Sequence, residues 1–267
     1  MRILILGENT MVGHVVGMYF KEHNHQVAPY NSLWNVNELK EMLSGNSFNA
    51  VINCVAVVNQ DAENDKVKAI EINSLLPHCL EKMTAETDTV VVHRSTDCIF
   101  SGIKGGYKLE DFPDGTSFYA KSKALGEIVN SKDITIRTSL VGPEIEKDGR
   151  GLFNWFYNQQ GKIDGFANSI WTGLTTLEFA KGIEWMLNNK KHGIFQLVPE
   201  TAISKYNLLL LFEKYYPGNR TISRINNAYV DKSLVPVTGG YKIPCYEEQI
   251  KEMRKWTDEH STIYRYQ

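Results

Sequence analysis

Apolar runs and helically spaced segments alternate through the first half of the chain. After Arg2, the run "ILIL" continues to Leu6 and stops at Gly7. An unbroken apolar run of this length predicts a strand buried on both faces, as in a parallel sheet. "MVGHVVGMYFKEH" at 11–23 carries helical spacing, "QVAPY" at 26–30 reads as a weak strand with Pro29 near its end, and "VNELKEML" at 36–43 reads as a helix. "AVINCVAV" at 50–57 is the next apolar run, followed by a long helical stretch from about Asp65 to Met83 that Pro77 is expected to kink. "TVVVH" at 89–93 predicts a strand. A loop with Gly102, Gly105, Gly106 and Pro113 follows, then a helix around Tyr119, then the strand "ITIR" at 134–137. Strands separated by helices predict βαβ units, right-handed crossovers and a doubly wound, Rossmann-like α/β fold with a parallel sheet.

The pattern loosens after Pro143. "EIEKDGRG" at 144–151 reads as a surface loop, "LFNWFYNQQ" at 152–160 as an aromatic-rich helix, and "TTLEFAKGIEWMLNN" at 175–189 as an amphipathic helix. "GIFQLV" at 193–198 predicts one more strand. Helices are expected near 204–216 and 246–257, with a Pro/Gly stretch at 236–244 between them. The expected division is a dinucleotide-binding half at 1–142, to which 175–198 returns, and a smaller C-terminal substrate-binding lobe at 143–174 and 199–267.

Composition narrows the class. The chain has 267 residues, a formal net charge of −2, 42% hydrophobic and 22% charged residues, as expected of a globular protein with a sizeable core. No basic stripe points to nucleic acid, and no apolar run reaches membrane length, so neither a nucleic-acid nor a membrane partner is expected. The apolar stretch at the N-terminus is too short for a signal-peptide core. Cys54, Cys79, Cys98 and Cys245 form no C-x-x-C pair, so neither a disulfide framework nor a metal site is expected. The reading is a cytoplasmic protein.

Candidate chemistry begins at the turn after the first strand, Gly7-Glu8-Asn9-Thr10-Met11-Val12-Gly13. A glycine just past a first strand and another where the next helix opens match a dinucleotide-binding turn, where backbone and helix N-terminus receive a pyrophosphate. Thr10 occupies the middle-glycine position, and its hydroxyl would either push the phosphates outward or donate to them. No acid occurs from Val27 to Asn37. An acid there would bind a ribose 2′-hydroxyl and repel a 2′-phosphate, so its absence leans weakly toward NADP, with Asn31 and Ser32 as candidates to face the ribose.

"VVHRSTDCIFSG" at 91–102 places Ser95, Thr96 and Asp97 at the carboxyl edge of the sheet, where open α/β folds bind ligands. "SFYAKSKALGE" at 117–127 puts Tyr119 and Lys123 four apart on one helical face. With 13 tyrosines in the chain, chance supplies about one Tyr-x-x-x-Lys, so the spacing carries weight only through what it faces.

Taken together, "GENTMVGH", "VINCVA", "STDCIFSG", "FYAKSKALGE" and "IRTSLVGP" resemble, in this order, the extended short-chain dehydrogenases/reductases. The branch they resemble is that of dTDP-4-dehydrorhamnose reductase and related nucleotide-sugar 4-keto reductases, over most of residues 1–198. The resemblance implies that Tyr119 protonates the oxygen of a reduced ketone. It implies that Lys123 binds the nicotinamide ribose and lowers the Tyr119 pKa, and that Thr96 hydrogen-bonds the substrate carbonyl, with Ser95 as the fallback. It further implies cofactor contacts from Gly7, Asn9, Thr10, Met11, Val12 and Gly13, from Asn31 and Ser32, from Cys54, Val55 and Ala56, and from Tyr119 and Lys123. Cys98 stands where the rhamnose-type enzymes usually carry Tyr.

Related dehydratases place Asp-Glu directly after the active-site Thr. Here the sequence is Thr96-Asp97-Cys98, so the proton acceptor for elimination is missing and reduction is the expected reaction. A retained-cofactor epimerase uses the same Tyr and Lys and stays open, as does a non-catalytic, dinucleotide-binding regulatory subunit. Substrate contacts are expected from Ser95, Thr96, Asp97, Trp171 and Thr175. Arg137 is either a phosphate contact or a buried residue satisfying a partner. Phe153, Trp155 and Phe156 either stack on a base or belong to the core. The resulting expectation is an NAD(P)H-dependent reductase of a nucleoside-diphosphate 4-keto-6-deoxyhexose, NADPH being weakly favoured, in deoxysugar supply for a surface polysaccharide. The family makes a homodimer plausible.

Overall fold

The computed structural model describes residues 1–32, 35–226 and 228–266. Leu33 and Trp34, in the stretch read for ribose contacts, lie outside the described residues. The chain opens with β1 (Arg2–Leu6), α1 (Met11–Glu22), β2 (Gln26–Tyr30), α2 (Val36–Gly45) and β3 (Ala50–Asn53). α3 (Asn59–Asn64) and α4 (Lys66–Ala69) follow, then a π-helical turn (Ile70–Leu75), α5 (Leu76–Met83) and β4 (Val90–Arg94). After a 3₁₀ turn (Asp97–Ile99) come α6 (Phe118–Leu125), β5 (Ile134–Arg137), β6 (Leu140–Val141) and α7 (Leu152–Tyr157). The second half holds β7 (Gly161–Phe166), β8 (Ser169–Trp171), β9 (Leu174–Thr175), α8 (Thr176–Asn188) and β10 (Gly193–Gln196). It closes with β11 (Ile203–Ser204), α9 (Lys205–Tyr215), β12 (Arg220–Ile225), β13 (Val230–Asp231) and α10 (Tyr246–Glu259).

The main sheet has the order β2-β1-β3-β4-β5-β10, and every neighbouring pair is parallel. This is the doubly wound architecture expected. Strand order reverses between β1 and β3, and the crevice above their carboxyl ends is the ligand position that such a switch point creates. The apolar run of β1 lies at the centre because it can be buried on both faces: Ile3, Leu4 and Ile5 are fully buried. Residues 193–196 form the edge strand beside β5, and α8 packs against α1.

Two expectations about local structure change. The run at 50–57 is strand only to Asn53, because the Asn53 side chain accepts from the Val55 N–H at 3.2 Å and turns the chain away. The stretch at 65–83 is not simply kinked at Pro77 but opens into the π-helical turn just before it. Proline lacks the N–H that would bond the carbonyl of Asn73. The backbone of Gly126 comes against that carbonyl so closely that a Cβ at 126 would lie 1.9 Å from it.

The turn has a positioning role. Asn73 is fully buried; its side chain bonds both the N–H and the carbonyl of Val57 (2.9 and 2.8 Å) and the Ser122 hydroxyl (3.0 Å). One amide thus ties the loop after β3 to α6.

Outside the main sheet lie strands that the sequence pattern did not reveal. β7 and β12 form a parallel pair, β8 lies between β11 and β13, and β6 pairs with β9. β7 is half exposed, so its apolar period is faint. Among the described residues, no helix is long and apolar enough to cross a membrane.

Candidate active site

Two adjoining cavities open at the carboxyl edge of the sheet. One, about 540 Å³, lies over the switch point and is lined by Thr10, Met11 and Val12, by Cys54 and Ala56, and by Thr96 and Tyr119. The other, about 500 Å³, is walled largely by residues from the second half of the chain, with Trp155, Trp171 and Val230 among its lining residues. Both volumes fall in the range of small-molecule sites. Cys98, Ser139, Leu152 and Lys205 line both cavities and so mark their junction.

The turn after β1 is built for close backbone approach. Gly7 has φ +79°, a conformation favouring glycine, and a Cβ on Gly13 would lie 2.0 Å from the Gly7 carbonyl oxygen. Thr10 is the N-cap of α1: its hydroxyl donates to the Gly7 carbonyl (2.8 Å) and accepts from the Gly13 N–H (3.0 Å). Both hydrogen bonds of that hydroxyl lie within the turn, its proton going to the Gly7 carbonyl. No acid sits in the first turn of α1, leaving the helix N-terminus favourable to an anion. These features fit a dinucleotide pyrophosphate.

Asn31 is exposed and accepts from the Asn9 N–H at 3.1 Å, locking the turn to the end of β2; Ser32 beside it is also exposed. Val55 packs under Gly7, with its side chain 2.8 Å from where a Cβ would stand.

α6 starts at Ser117, whose hydroxyl caps the Ala120 N–H at 3.1 Å. The helix presents Tyr119 to the first cavity and buries Lys123 completely. Thr96 and Tyr119 thus line one cavity together, whereas Lys123, one turn along α6, lines neither cavity. The Thr96 hydroxyl accepts from the Cys98 N–H at 3.1 Å and donates to Asp97 Oδ1 at 3.2 Å, and it opposes the rise of the Tyr119 pKa. Lys123 Nζ donates to the Arg94 carbonyl at 2.8 Å and lies 3.2 Å from His93 Nε2. His93 in turn lies 3.2 Å from the Asn53 amide nitrogen. Burial, aided by Lys123 and Arg94, holds the His93 pKa well below the ordinary value, so the ring is neutral.

The electrostatics differ from the expectation that Lys123 lowers the Tyr119 pKa. Burial pushes the phenol up to about 12, and the cation that opposes this is Arg94. Lys123 is itself pushed well below the ordinary lysine range, by burial first and by Arg94 second. Tyr119 is consequently a protonated phenol at neutral pH, the state a proton donor requires. Arg94 has a buried Nε without a protein partner and lines the same cavity. Nothing in the sequence pattern singled it out.

Asp97, buried at the floor of the second cavity, has its pKa raised by burial, with Lys205 and Lys232 opposing the rise. Burial lowers Lys205 to about 8, opposed by Asp97. Its ammonium stands 4.5 Å from the centre of the Trp171 ring, a cation–π distance. Lys205 and Lys232 were both missed in the sequence, since each lies more than a hundred residues beyond Asp97 and only the fold brings them together. The Cys98 thiol is pushed up to about 12 by burial and Asp97, so it remains protonated.

Three expected substrate contacts lie elsewhere. Ser95 is fully buried and donates to Glu127 Oε1 at 2.6 Å. Arg137 forms a two-point bridge to Glu127, at 2.9 and 2.8 Å, and donates to the Leu109 carbonyl at 3.0 Å. Thr175 caps α8 through the Glu178 N–H at 3.1 Å, and its own N–H goes to Gln249. None of the three lines either cavity. Trp171 does line the second cavity. Of the aromatic trio, Trp155 lines it, whereas Phe153 and Phe156 are fully buried core.

Residues 1–159 match the family described as RmlD substrate binding domain. The chain belongs to that family, which is the reductase branch its motifs resemble. It is 28% identical over 133 residues to the dTDP-4-dehydrorhamnose reductase of Mycolicibacterium smegmatis, a match covering 47% of this chain and 40% of that protein. The chain thus spans less than half the length of that curated relative in the match. Two solved structures share the fold. A dTDP-4-dehydrorhamnose reductase from Clostridium acetobutylicum superposes with a TM-score of 0.83 at 22% identity, covering 97% of this chain and 100% of that one. A dTDP-4-dehydrorhamnose reductase from Bacillus anthracis, in complex with NADP, gives a TM-score of 0.83 at 18% identity, covering 96% of this chain and 99% of that one.

Proposed function

We propose that this protein is an NADPH-preferring reductase of the 4-keto group of a nucleoside-diphosphate 4-keto-6-deoxyhexose, supplying a deoxysugar for a surface glycan. The carrying observation is that Thr96 and Tyr119 line the cavity over the switch point, with Lys123 buried one turn behind Tyr119 on α6, and that this cavity joins a second one at Cys98, Ser139, Leu152 and Lys205. On this reading the half at 1–142 with 175–198 receives the dinucleotide, and the lobe at 143–174 and 199–267 receives the sugar nucleotide. The family and its named reductases support the reaction class. The lack of an acid from Val27 to Asn37 supports the preference for NADPH.

A nicotinamide dinucleotide, when bound, supplies the hydride. Met11 and Val12 offer the α1 N-terminus to its pyrophosphate, and Cys54 and Ala56 form the facing wall. Lys123, whose Nζ donates to the Arg94 carbonyl and lies beside His93 Nε2, is the residue assigned on this reading to the ribose hydroxyls. The Thr96 hydroxyl orients the C4 carbonyl. Tyr119 gives its phenolic proton to the C4 oxygen as negative charge develops there. Lys205 and Trp171 border the sugar nucleotide, and Asp97 holds Lys205 charged against the cost of burial.

The test is nicotinamide oxidation with a panel of nucleoside-diphosphate 4-keto-6-deoxysugars generated in situ by dehydratases, run with NADPH and NADH. Turnover with one of them, giving the C4 alcohol, is expected, faster with NADPH. Dinucleotide binding without oxidation across the panel would contradict the reaction assigned here.

A further inference from the structure

Three cationic side chains line the cavity over the switch point: Arg94, Lys205 and Arg150. Arg94 and Lys205 belong to its inner end, Arg94 acting on Tyr119 and Lys205 held by Asp97 and Cys98. Arg150 belongs to the other end. Its neighbour Gly151 lies against Met11, the first residue of α1, closely enough that a Cβ at 151 would stand 2.8 Å from the Met11 sulfur. The loop that carries Arg150 is braced on both sides. Glu144 Oε1 accepts from the Gly151 N–H at 2.5 Å, and Asn154 Nδ2 donates to the Gly149 carbonyl at 2.6 Å. The base of the loop is fixed by Tyr266, whose hydroxyl accepts from the Glu144 N–H at 3.0 Å and donates to Asn154 Oδ1 at 2.8 Å.

Arg150 pairs with Asp61 through one guanidinium nitrogen, at 3.0 and 2.9 Å to the two carboxylate oxygens. Asp61 lies on α3, whose first residues Asn59 and Gln60 line the same cavity. The pair therefore joins the wall after β3 to the wall after β6 across the opening. Both partners are exposed, at 78% and 50% of their side-chain surface. An exposed ion pair of this kind is a weak contact that salt screens. A phosphate offers more charge and more acceptors, in the geometry a guanidinium prefers.

We propose that Arg150 is a binding residue for the pyrophosphate of the dinucleotide, exchanging Asp61 for a phosphate oxygen when the dinucleotide occupies the turn; this rests on the dinucleotide reading above. The turn itself, from Gly7 to Gly13, carries no cationic side chain, and the Thr10 hydroxyl is committed elsewhere. Arg150 supplies the missing formal charge, and Asp61 competes for it.

The test is titration of NADPH and of NADH into the full-length protein and its variants, with binding read calorimetrically. Arg150→Ala is expected to weaken both dinucleotides about tenfold, the order of one charge-assisted hydrogen bond. Arg150→Lys is expected to recover part of this loss. Asp61→Asn, which removes the competitor, is expected to tighten both by about threefold, and this gain should vanish when Arg150 is also Ala. Both sites are exposed, so thermal midpoints should stay at the wild-type value. Arg150→Ala within twofold of wild type would overturn the proposal. A loss confined to NADPH would overturn the pyrophosphate assignment in favour of the 2′-phosphate. Wild-type protein binding neither dinucleotide would overturn the dinucleotide reading and this inference with it.

Discussion

Arg137 lies at the end of a sheet strand beside the site, where a substrate contact was expected, and the structure gives it a different task. Its guanidinium is 6% exposed and bridges Glu127, 7% exposed, at two points. It also donates to the Leu109 carbonyl and lies 5.5 Å from the Phe100 ring centre. Glu127 is the last side chain of the "ALGE" segment and also receives the Ser95 hydroxyl. Arg137→Met would leave that carboxylate buried with Ser95 as its remaining side-chain partner. Removing one member of a buried pair costs about 3–5 kcal/mol, because an uncompensated charge stays behind. Replacing both, as Arg137→Met with Glu127→Leu, removes the stranded charge. It leaves the Ser95 hydroxyl and the Leu109 carbonyl without partners, so a residual loss of about 1–3 kcal/mol is expected. Equilibrium urea unfolding of the three proteins measures this. The double variant should be more stable than the single one, and KM for the sugar nucleotide should change little in either. A single variant within about 1 kcal/mol of wild type, or a double variant no better than the single, would refute the buried-bridge reasoning.

Glu178 and Thr10 give two further expectations. The Glu178 carboxyl is 1% exposed and is raised by burial from 4.5 to about 7, although the Tyr241 hydroxyl donates to it at 2.6 Å. A carboxyl whose folded pKa is raised contributes stability that is present at low pH and lost as pH rises through that window, by roughly 3 kcal/mol here. Glu178→Gln should flatten the decline between pH 4.5 and about pH 7 in urea midpoints, and an unchanged decline would exclude Glu178 as its source. Thr10→Ala removes the α1 cap and should cost about 1 kcal/mol by thermal unfolding; a variant as stable as wild type would mean the two hydrogen bonds of that hydroxyl contribute nothing.

The parts of the molecule legible in the sequence are those fixed by local pattern. The run ending at Leu6, the glycines at 7 and 13 and the strand "ITIR" each announce themselves within a few residues, since burial on two faces and tight turns leave short signatures. The Tyr119/Lys123 pair was legible through helical spacing together with the strand end it faces. What failed was the direction of side chains beyond a strand end. Ser95 and Thr96 are adjacent, yet one turns back to Glu127 and the other toward Tyr119. Arg137 follows the same logic, because its partner on the α6 side is invisible to strand pattern. The lobe was least legible. β7 and β12 pair only with each other and bury few residues, so their apolar pattern is faint, and the cations near Asp97 come from α9 and from the segment after β13. The long helix held one more surprise, since the effect of Pro77 is taken up by a π-helical turn whose buried Asn73 then organises the site.

The measurement that bears most directly on the account is reductase turnover of Tyr119→Phe beside wild type, with the preferred nucleoside-diphosphate keto sugar and saturating NADPH. Tyr119 is buried, so Phe preserves the packing of the ring and removes the proton donor. Loss of a positioned general acid predicts kcat reduced by about 10²–10⁴, with dinucleotide affinity and thermal midpoint near wild type. A Tyr119→Phe enzyme that kept wild-type kcat would contradict the assignment of Tyr119 as the proton donor and, with it, the catalytic role given to this site.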